Sequence, residues 1–183
     1  MSTDRAAVPP EASALALLGR VLAGEIDDEL LALLQDRAVA ECLEQCEPEC
    51  APLLSRPWRH AEIEAAAVEY CRLFIVPQAA APLASAWLSG NDSNSGAAIA
   101  GLVDTLVATV ELEFPQGLAV LPRDHVAVLL AVAAWLSEQR HAAAGEFVDR
   151  TLRPWVGRFS SALTAQAELP RYRAFGKFLA AAF

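Results

Sequence analysis

The stretch Leu121-Pro-Arg-Asp-His-Val-Ala-Val-Leu-Leu-Ala-Val-Ala-Ala-Trp-Leu136 ends in eleven consecutive apolar residues, 126–136. A helix that is apolar on every side is buried in a protein core or in a membrane, and a bilayer span takes about 20 residues. We therefore predict a central helix that is covered on all sides. Pro122 suits the first turn of a helix, which would place Asp124 beside the positive end of that helix.

The pair Asp124 and His125 is the first candidate for a functional site. Two ionisable side chains at the mouth of an apolar helix indicate a role in binding or chemistry. The alternative stays open at this point: Asp124 would only stabilise the helix start, and His125 would only donate to a nearby carbonyl.

The composition favours an all-α, single-domain helical bundle over residues 1–183. The chain is 55% hydrophobic and long enough for one domain with a sizeable core. Alanine is abundant, and no alternating pattern of a strand pair occurs. The amino terminus lacks the apolar segment of a secretory signal, and no apolar run reaches membrane length. We expect a cytoplasmic protein without stable membrane insertion.

The charge is acidic and unevenly distributed. The net charge is −9; residues 1–120 contain 6 basic and 18 acidic side chains, whereas residues 121–183 contain 8 basic and 5 acidic ones. Nucleic-acid binding depends on neutralising phosphates, so we expect no nucleic-acid partner. An acidic half attracts a basic peptide. Solubility alone is the alternative explanation of the same charge.

Helical spacing and capping residues predict the other elements. The expected helices are 11–23, 28–43, 60–74, 95–114, 146–167 with a kink at Pro154, and 170–183, together with a short helical turn at 84–88 and a loose tail at 1–10. The polar segment 90–96 is predicted to be a flexible loop: a hinge, a connector for helix exchange between subunits, or a plain surface loop. The protein is then a monomer or a homodimer, with domain swapping through this loop as one route to the dimer.

No known catalytic motif occurs in the sequence. There is no glycine-rich phosphate loop, nucleophile elbow or zinc-protease helix, and the imidazole bases are limited to His60, His125 and His141. We predict that the protein is not an enzyme, with no catalytic residue and no cofactor.

The cysteines Cys42, Cys46 and Cys50 are spaced C-x3-C-x3-C. Zinc and iron–sulfur sites more often use C-x2-C pairs on turns, so we predict reduced thiols and no metal site. A metal- or redox-sensing helical protein that uses these three thiols is the alternative function.

Four motif blocks resemble the TorD/DmsD family. In this sequence the blocks are Glu69-Tyr-Cys-Arg-Leu-Phe74 with Pro77, Pro82-Leu-Ala-Ser-Ala-Trp-Leu88, Leu121-Pro-Arg-Asp-His125, and Phe147 to Trp155 with Phe159. Their order and spacing are similar to the family pattern from about residue 60 onward. The sequence departs from the pattern twice: Leu129 stands where the family often has Glu, and Leu83 stands where it often has Trp.

The resemblance implies an all-helical cytoplasmic chaperone. Members of this family bind the twin-arginine leader of the catalytic subunit of a molybdopterin oxidoreductase and assist cofactor insertion before export. The family also has an association with guanosine nucleotides, for which this sequence offers no phosphate loop. A helical interaction module with another client is a further alternative. Carried over to this chain, the leader-binding residues are Tyr70, Leu73, Phe74, Trp87, Pro122, Asp124 and His125.

Overall fold

The computed structural model describes residues 10–76, 78–88 and 95–183. These residues form eleven α-helices and no named strand, which confirms the all-α prediction. The helices are α1 Pro10–Ala23, α2 Asp28–Leu34, α3 Arg37–Cys46, α4 Ala51–Ser55, α5 His60–Tyr70, α6 Gly96–Val110, α7 Gln116–Ala119, α8 Val126–Glu138, α9 Ala144–Thr151, α10 Val156–Gln166 and α11 Pro170–Ala181. A π-helical turn, Cys71–Ile75, follows α5, and a 3-10 turn, Ala84–Ala86, precedes α6.

Helix α8 is the buried centre of the fold, as the apolar run predicts. Val128 and Leu130 are completely buried. Helix α1 packs along α8, and Gly19 makes the close approach possible, because a Cβ at this position would lie 3.3 Å from the carbonyl oxygen of Ala127. The buried apolar side chains from α1 to α11 form one connected core.

The prediction that α8 is covered on all sides was wrong for one strip of the helix. Ala131 and Trp135 are only partly buried, because the elements packed against α8 leave a groove open along this strip.

The predicted start of α8 was also wrong. Pro122 lies before the helix, in a turn in which the His125 amide donates to the Pro122 carbonyl at 3.0 Å. His125 has extended backbone angles and caps the helix, since its Nδ1 accepts a hydrogen bond from the amide of Ala127 at 3.2 Å. A residue whose side chain accepts from the second following amide is an N-cap, so the helix proper begins at Val126.

Three predicted helices are shorter or divided in the structure. Asp36 accepts from the amides of Ala38 and Val39 and starts α3, which divides the predicted helix 28–43. Helix α6 ends at Val110 because Glu111 takes a left-handed conformation with φ 52°. The segment around Pro154 separates α9 from α10, where the sequence predicted a kink, because proline lacks the amide that a continuous helix needs.

Other boundaries agree with the sequence prediction. Asp27 caps α2 by accepting from the Leu30 amide at 2.8 Å, and Ser95 caps α6 by accepting from the Ala98 amide at 3.2 Å. The predicted turn at 84–88 is present as the 3-10 turn. Helix α1 starts at Pro10, one residue inside the predicted tail. Residues 1–9 of that tail, Pro77, Ser89 and residues 90–94 of the predicted loop 90–96 lie outside the described residues.

Candidate functional site

Two of the motif blocks meet in a short antiparallel contact, which we call the motif junction: residues 82–85 and 124–126. The Ala84 amide donates to the Asp124 carbonyl at 2.9 Å, and the Val126 amide donates to the Pro82 carbonyl at 2.8 Å. Leu83 and His125 stand opposite each other as an isolated β-bridge. The junction thereby holds the start of α8 against the 3-10 turn.

Asp124 connects this junction to a third segment. The residue is 8% exposed, and its carboxylate accepts a hydrogen bond from the Ser85 amide at 3.0 Å. Gly96, the first residue of α6, lies so close that an added Cβ would be 2.4 Å from Cβ of Ser85 and 3.0 Å from Oδ2 of Asp124. The carboxylate therefore lies beside the amino-terminal end of α6, where negative charge is stabilised. Asp124 therefore does not lie in the first turn of α8, where Pro122 as the first helical residue would have placed it.

His125 is also enclosed, with 5% of its surface exposed. Burial lowers its pKa to about 4, against the opposing effect of the neighbouring Asp124. The imidazole is consequently neutral near pH 7, and the bond to the Ala127 amide assigns Nδ1 as the acceptor. Leu129, which stands where the family often has Glu, is completely buried one turn further along α8.

Aromatic residues from three of the four blocks form a continuous row of rings. Phe159 contacts Trp87 at 6.2 Å between ring centroids, Trp155 at 5.9 Å and Phe74 at 6.5 Å, and Phe74 contacts Tyr70 at 5.0 Å. These separations and tilted orientations are typical of favourable aromatic packing. The row joins α5, the 3-10 turn and α10 into one rigid core.

The structure thus brings the predicted site residues together but buries most of them. Tyr70, Leu73 and Phe74 are 6%, 0% and 2% exposed. Trp87 is half-buried, and its Nε1 donates to the Ala81 carbonyl at 2.8 Å. Pro122 is exposed. Of the seven, therefore, Trp87 and Pro122 offer accessible surface to a partner.

An open groove lies elsewhere, between α1, the α1–α2 connection, the segment 112–118 and α8. Its volume is about 830 Å³. We call it the acidic groove. The floor and walls are largely apolar, formed by Ala16, Gly19, Ala23, Ile26, Leu112, Phe114, Leu118, Ala131, Ala134 and Trp135.

The rim of the acidic groove carries five carboxylates, those of Glu25, Asp27, Glu29, Glu113 and Glu138. Arg20 is the one basic residue among the lining residues, and it forms an ion pair with Asp27. The Leu30 amide and then Arg20 hold the pKa of Asp27 below its ordinary value. The rim is therefore strongly negative at neutral pH.

Arg123 links the motif junction to this groove. Its Nε donates to the Asp104 carboxylate at 2.9 Å, and its guanidinium lies 5.0 Å from the ring centroid of Phe114, a wall residue of the groove. Because Arg123 directly precedes Asp124, the junction fixes the position of a residue that supports the groove wall.

The acidic groove was not predicted from the sequence. One signal was available in the excess of acidic residues in the first 120 positions. A second signal was the spacing of the small residues Ala16, Gly19 and Ala23 on one face of α1. Small side chains favour close helix packing and form a shallow floor for the groove.

The cysteines do not converge on one point. Cys42 and Cys46 lie on α3, and Cys50 precedes α4. Burial, and then the neighbouring Cys46, raises the pKa of Cys42 to about 11, and burial raises the pKa of Cys50. Protonated thiols are poor metal ligands. Within the described ranges, no group of three His, Cys, Asp or Glu side chains is placed to hold a metal ion.

The fold and the groove together describe an all-helical protein with a peptide-sized, acid-rimmed surface. Within residues 10–76, 78–88 and 95–183, every helix is too short or too polar to span a membrane. The model of the nitrate reductase delta subunit family matches residues 25–161. The chain belongs to this family, the family of the TorD- and DmsD-like chaperones whose four motif blocks it carries.

Relatives of known name are similar over about two thirds of the chain. The chaperone protein YcdY of Escherichia coli (strain K12) is 29% identical over 126 residues, which cover 66% of this chain and 62% of the relative. The Tat proofreading chaperone DmsD of Salmonella typhi is 31% identical over 131 residues, which cover 69% of this chain and 62% of the relative. The DmsD of Salmonella typhimurium (strain LT2) matches to the same extent. The chain thus spans about three fifths of the length of these relatives.

Proposed function

We propose that this protein is a cytoplasmic redox-enzyme maturation chaperone. In this proposal it binds the twin-arginine leader of the catalytic subunit of a molybdopterin oxidoreductase and assists cofactor insertion before export. It works by binding and holding the client, without catalysis or a cofactor of its own. The observation that supports the proposal most directly is the acidic groove, with its apolar floor and its carboxylate rim.

The chemistry of the groove is complementary to such a leader, which has a basic start and an apolar middle. Guanidinium groups form charge-assisted hydrogen bonds with carboxylates, about twice as strong as neutral ones. Of the five rim carboxylates, only Asp27 is already paired with a basic residue of the groove. The apolar floor would receive the middle of the leader, and a volume of about 830 Å³ lies in the range of ligand pockets. One chain supplies the whole groove, so a second copy is not required.

The residues indicated by the family resemblance have two roles in this proposal. Trp87 and Pro122 are accessible and would contact the client directly. Asp124 and His125, with the buried Tyr70, Leu73 and Phe74, would act as positioning residues. They fix the junction from which Arg123 supports the groove wall at Phe114.

Calorimetric titration with synthetic leader peptides tests the proposal. We expect the wild-type leader to bind, and a leader with both arginines replaced by glutamine to bind about tenfold more weakly, since two charge-assisted bonds are lost. A leader whose apolar middle is replaced by serine should also bind weakly, with a loss that salt does not change. Equal affinity for all three peptides would contradict leader recognition.

A further inference from the structure

A second cavity, of about 430 Å³, lies where the end of α4, the start of α5 and the start of α11 meet. It shares no lining residue with the acidic groove. Apolar side chains of Leu53, Ala61, Ala65, Leu169 and Pro170 line much of it, with the rings of Trp58 and Tyr172. Its size is in the range of small-molecule sites.

Three arginines surround one carboxylate at this cavity. Nη2 of Arg56 lies 2.6 Å from Oε1 of Glu62, Nε of Arg59 lies 3.6 Å from Oε2 of Glu62, and Nη2 of Arg171 lies 3.7 Å from the same Oε2. The hydrogen bonds from Arg56 and from the Arg59 amide lower the pKa of Glu62 to about 2, so it is charged. Three positive charges and one negative charge leave a local excess of two positive charges, in a chain whose net charge is −9.

Two of the three guanidinium groups are already engaged. Arg171 is 5% exposed, lies 3.8 Å from the ring centroid of Trp58, and donates to the carbonyls of Arg56 and Pro57, each at 3.3 Å. Arg56 donates to Glu62 through both terminal nitrogens. These contacts make the wall rigid and positive, and they leave few donors for another group.

Arg59 is the open position. Its side chain is 82% exposed, and it makes no hydrogen bond with any side chain or carbonyl in the described part of the protein beyond its ion pair with Glu62. One guanidinium fork matches one carboxylate in a bidentate geometry. Because the donors of Arg56 and Arg171 are largely engaged, Arg59 provides a contact for one such group. The cavity therefore favours a single negative charge carried on an apolar body.

We propose that this cavity binds an apolar monocarboxylate, with the carboxylate on Arg59 and the apolar body against Trp58, Leu53 and Leu169. The proposal is independent of leader binding, because the two sites have no residue in common. It gives the protein a small-molecule site in addition to its client surface.

Titration with four probes tests this proposal: phenylacetate, its neutral analogue phenylacetamide, phenyl phosphate and inorganic phosphate. Calorimetry measures the affinity, and tryptophan fluorescence reports the location, because Trp58 lines the cavity. We expect phenylacetate to bind about tenfold more tightly than the other three probes, as the loss of a charge-assisted bidentate contact implies. The Trp58→Phe variant should lose the fluorescence response and retain the calorimetric signal.

Two matched variants test whether Arg59 is the residue that binds the carboxylate. Arg59→Gln should lower the affinity for phenylacetate about tenfold. Arg37→Gln, which removes a side chain that is 92% exposed and forms an ion pair with Glu41, should leave the affinity for phenylacetate unchanged. The proposal is overturned by equal binding of phenylacetamide, by tighter binding of either phosphate probe, or by an Arg59→Gln variant with wild-type affinity. If phenylacetate at about 10 mM gives no signal, the proposal is also overturned, because a site of millimolar affinity would be largely occupied at that concentration.

Discussion

Asp124 joins three segments with one side chain and its own backbone. Its carbonyl accepts from the Ala84 amide, its carboxylate accepts from the Ser85 amide, and Gly96 of α6 lies against Ser85 and the carboxylate. The structure shows that this carboxylate stabilises the fold. The sequence showed only a charged residue next to a histidine. The pair was predicted as a site, and the structure shows that both members are buried.

Replacing Asp124 separates a structural role from direct leader binding. Asp124→Ala leaves the Ser85 amide without an acceptor and should lower the free energy of unfolding by about 1–3 kcal/mol. Asp124→Asn keeps an acceptor oxygen and should cost less. Urea unfolding of both variants gives the stability, and leader titration gives the affinity. A large loss of affinity in a fully stable Asp124→Asn variant would show that the charge contacts the leader itself.

His125 makes the stability depend on pH. Its pKa is lowered to about 4 in the folded protein, from about 6.5 in the unfolded chain, so the unfolded chain binds the proton more readily. The contribution of the neutral His125 to the free energy of unfolding is complete above pH 6.5. It is lost as the pH falls toward 4, and the total loss is up to about 3 kcal/mol. His125→Asn retains a capping acceptor without titrating. Urea unfolding at pH 5 and pH 7.5 should show a larger decrease for the wild type than for this variant, and parallel decreases would contradict the assignment.

At the scale of the elements, two glycines of α6 differ in their surroundings. A Cβ at Gly96 would meet Ser85 at 2.4 Å, whereas a Cβ at Gly101 would meet no heavy atom within 4 Å. Gly96→Ala should therefore lower the free energy of unfolding by about 1–3 kcal/mol, because the added methyl group overpacks the motif junction. Gly101→Ala should raise the free energy of unfolding by about 0.5–1 kcal/mol, because alanine favours a helix more than glycine does. Thermal unfolding of the two variants measures the contrast, and a stable Gly96→Ala protein would refute the tight packing.

Helix α8 contributes Trp135 to the acidic groove, whereas Trp87 belongs to the aromatic row. If the groove receives the apolar middle of the leader, Trp135→Ala should lower leader affinity by about 2 kcal/mol, in the range of an aromatic hot spot, and salt should not change this loss. Trp87→Ala should have the smaller effect. The reverse order, in variants with unchanged helical spectra, would place the leader at the motif junction.

The apolar run 126–136 predicted α8 because eleven consecutive apolar residues exceed the usual length of a buried strand and suit a buried helix. The helix boundaries were harder, since they depend on single local interactions. Asp36 could equally have continued a helix or capped the next one, and the left-handed conformation of Glu111 has no signal in its residue type. Propensity alone does not decide such positions.

At the scale of the whole molecule, the site was less predictable than the fold. The acidic groove combines residues 16–29, 112–118 and 131–138, and these ranges become neighbours only when α1 packs on α8. Sequence motifs indicated the residues that hold the junction, because the polar pair Asp124 and His125 stands out beside an apolar helix. Scattered alanines and exposed glutamates, which form the groove, carry no comparable local signal.

The acidic groove is proposed to bind the leader through its carboxylate rim. The double variant Glu29→Gln with Glu113→Gln removes two exposed charges on different elements of the rim. The control double variant Glu44→Gln with Glu49→Gln removes the same charge from exposed positions outside the groove. Both proteins have the same net charge, so they differ only in where the carboxylates are lost.

Calorimetric titration of one twin-arginine leader into the three proteins, at low and at high salt, is the most direct test. The rim variant should bind about fivefold more weakly than the wild type, as expected for two exposed ion pairs, and salt should weaken the wild type more than this variant. The control variant should match the wild type. Equal affinities of the rim and control variants at low salt would contradict leader binding in the groove.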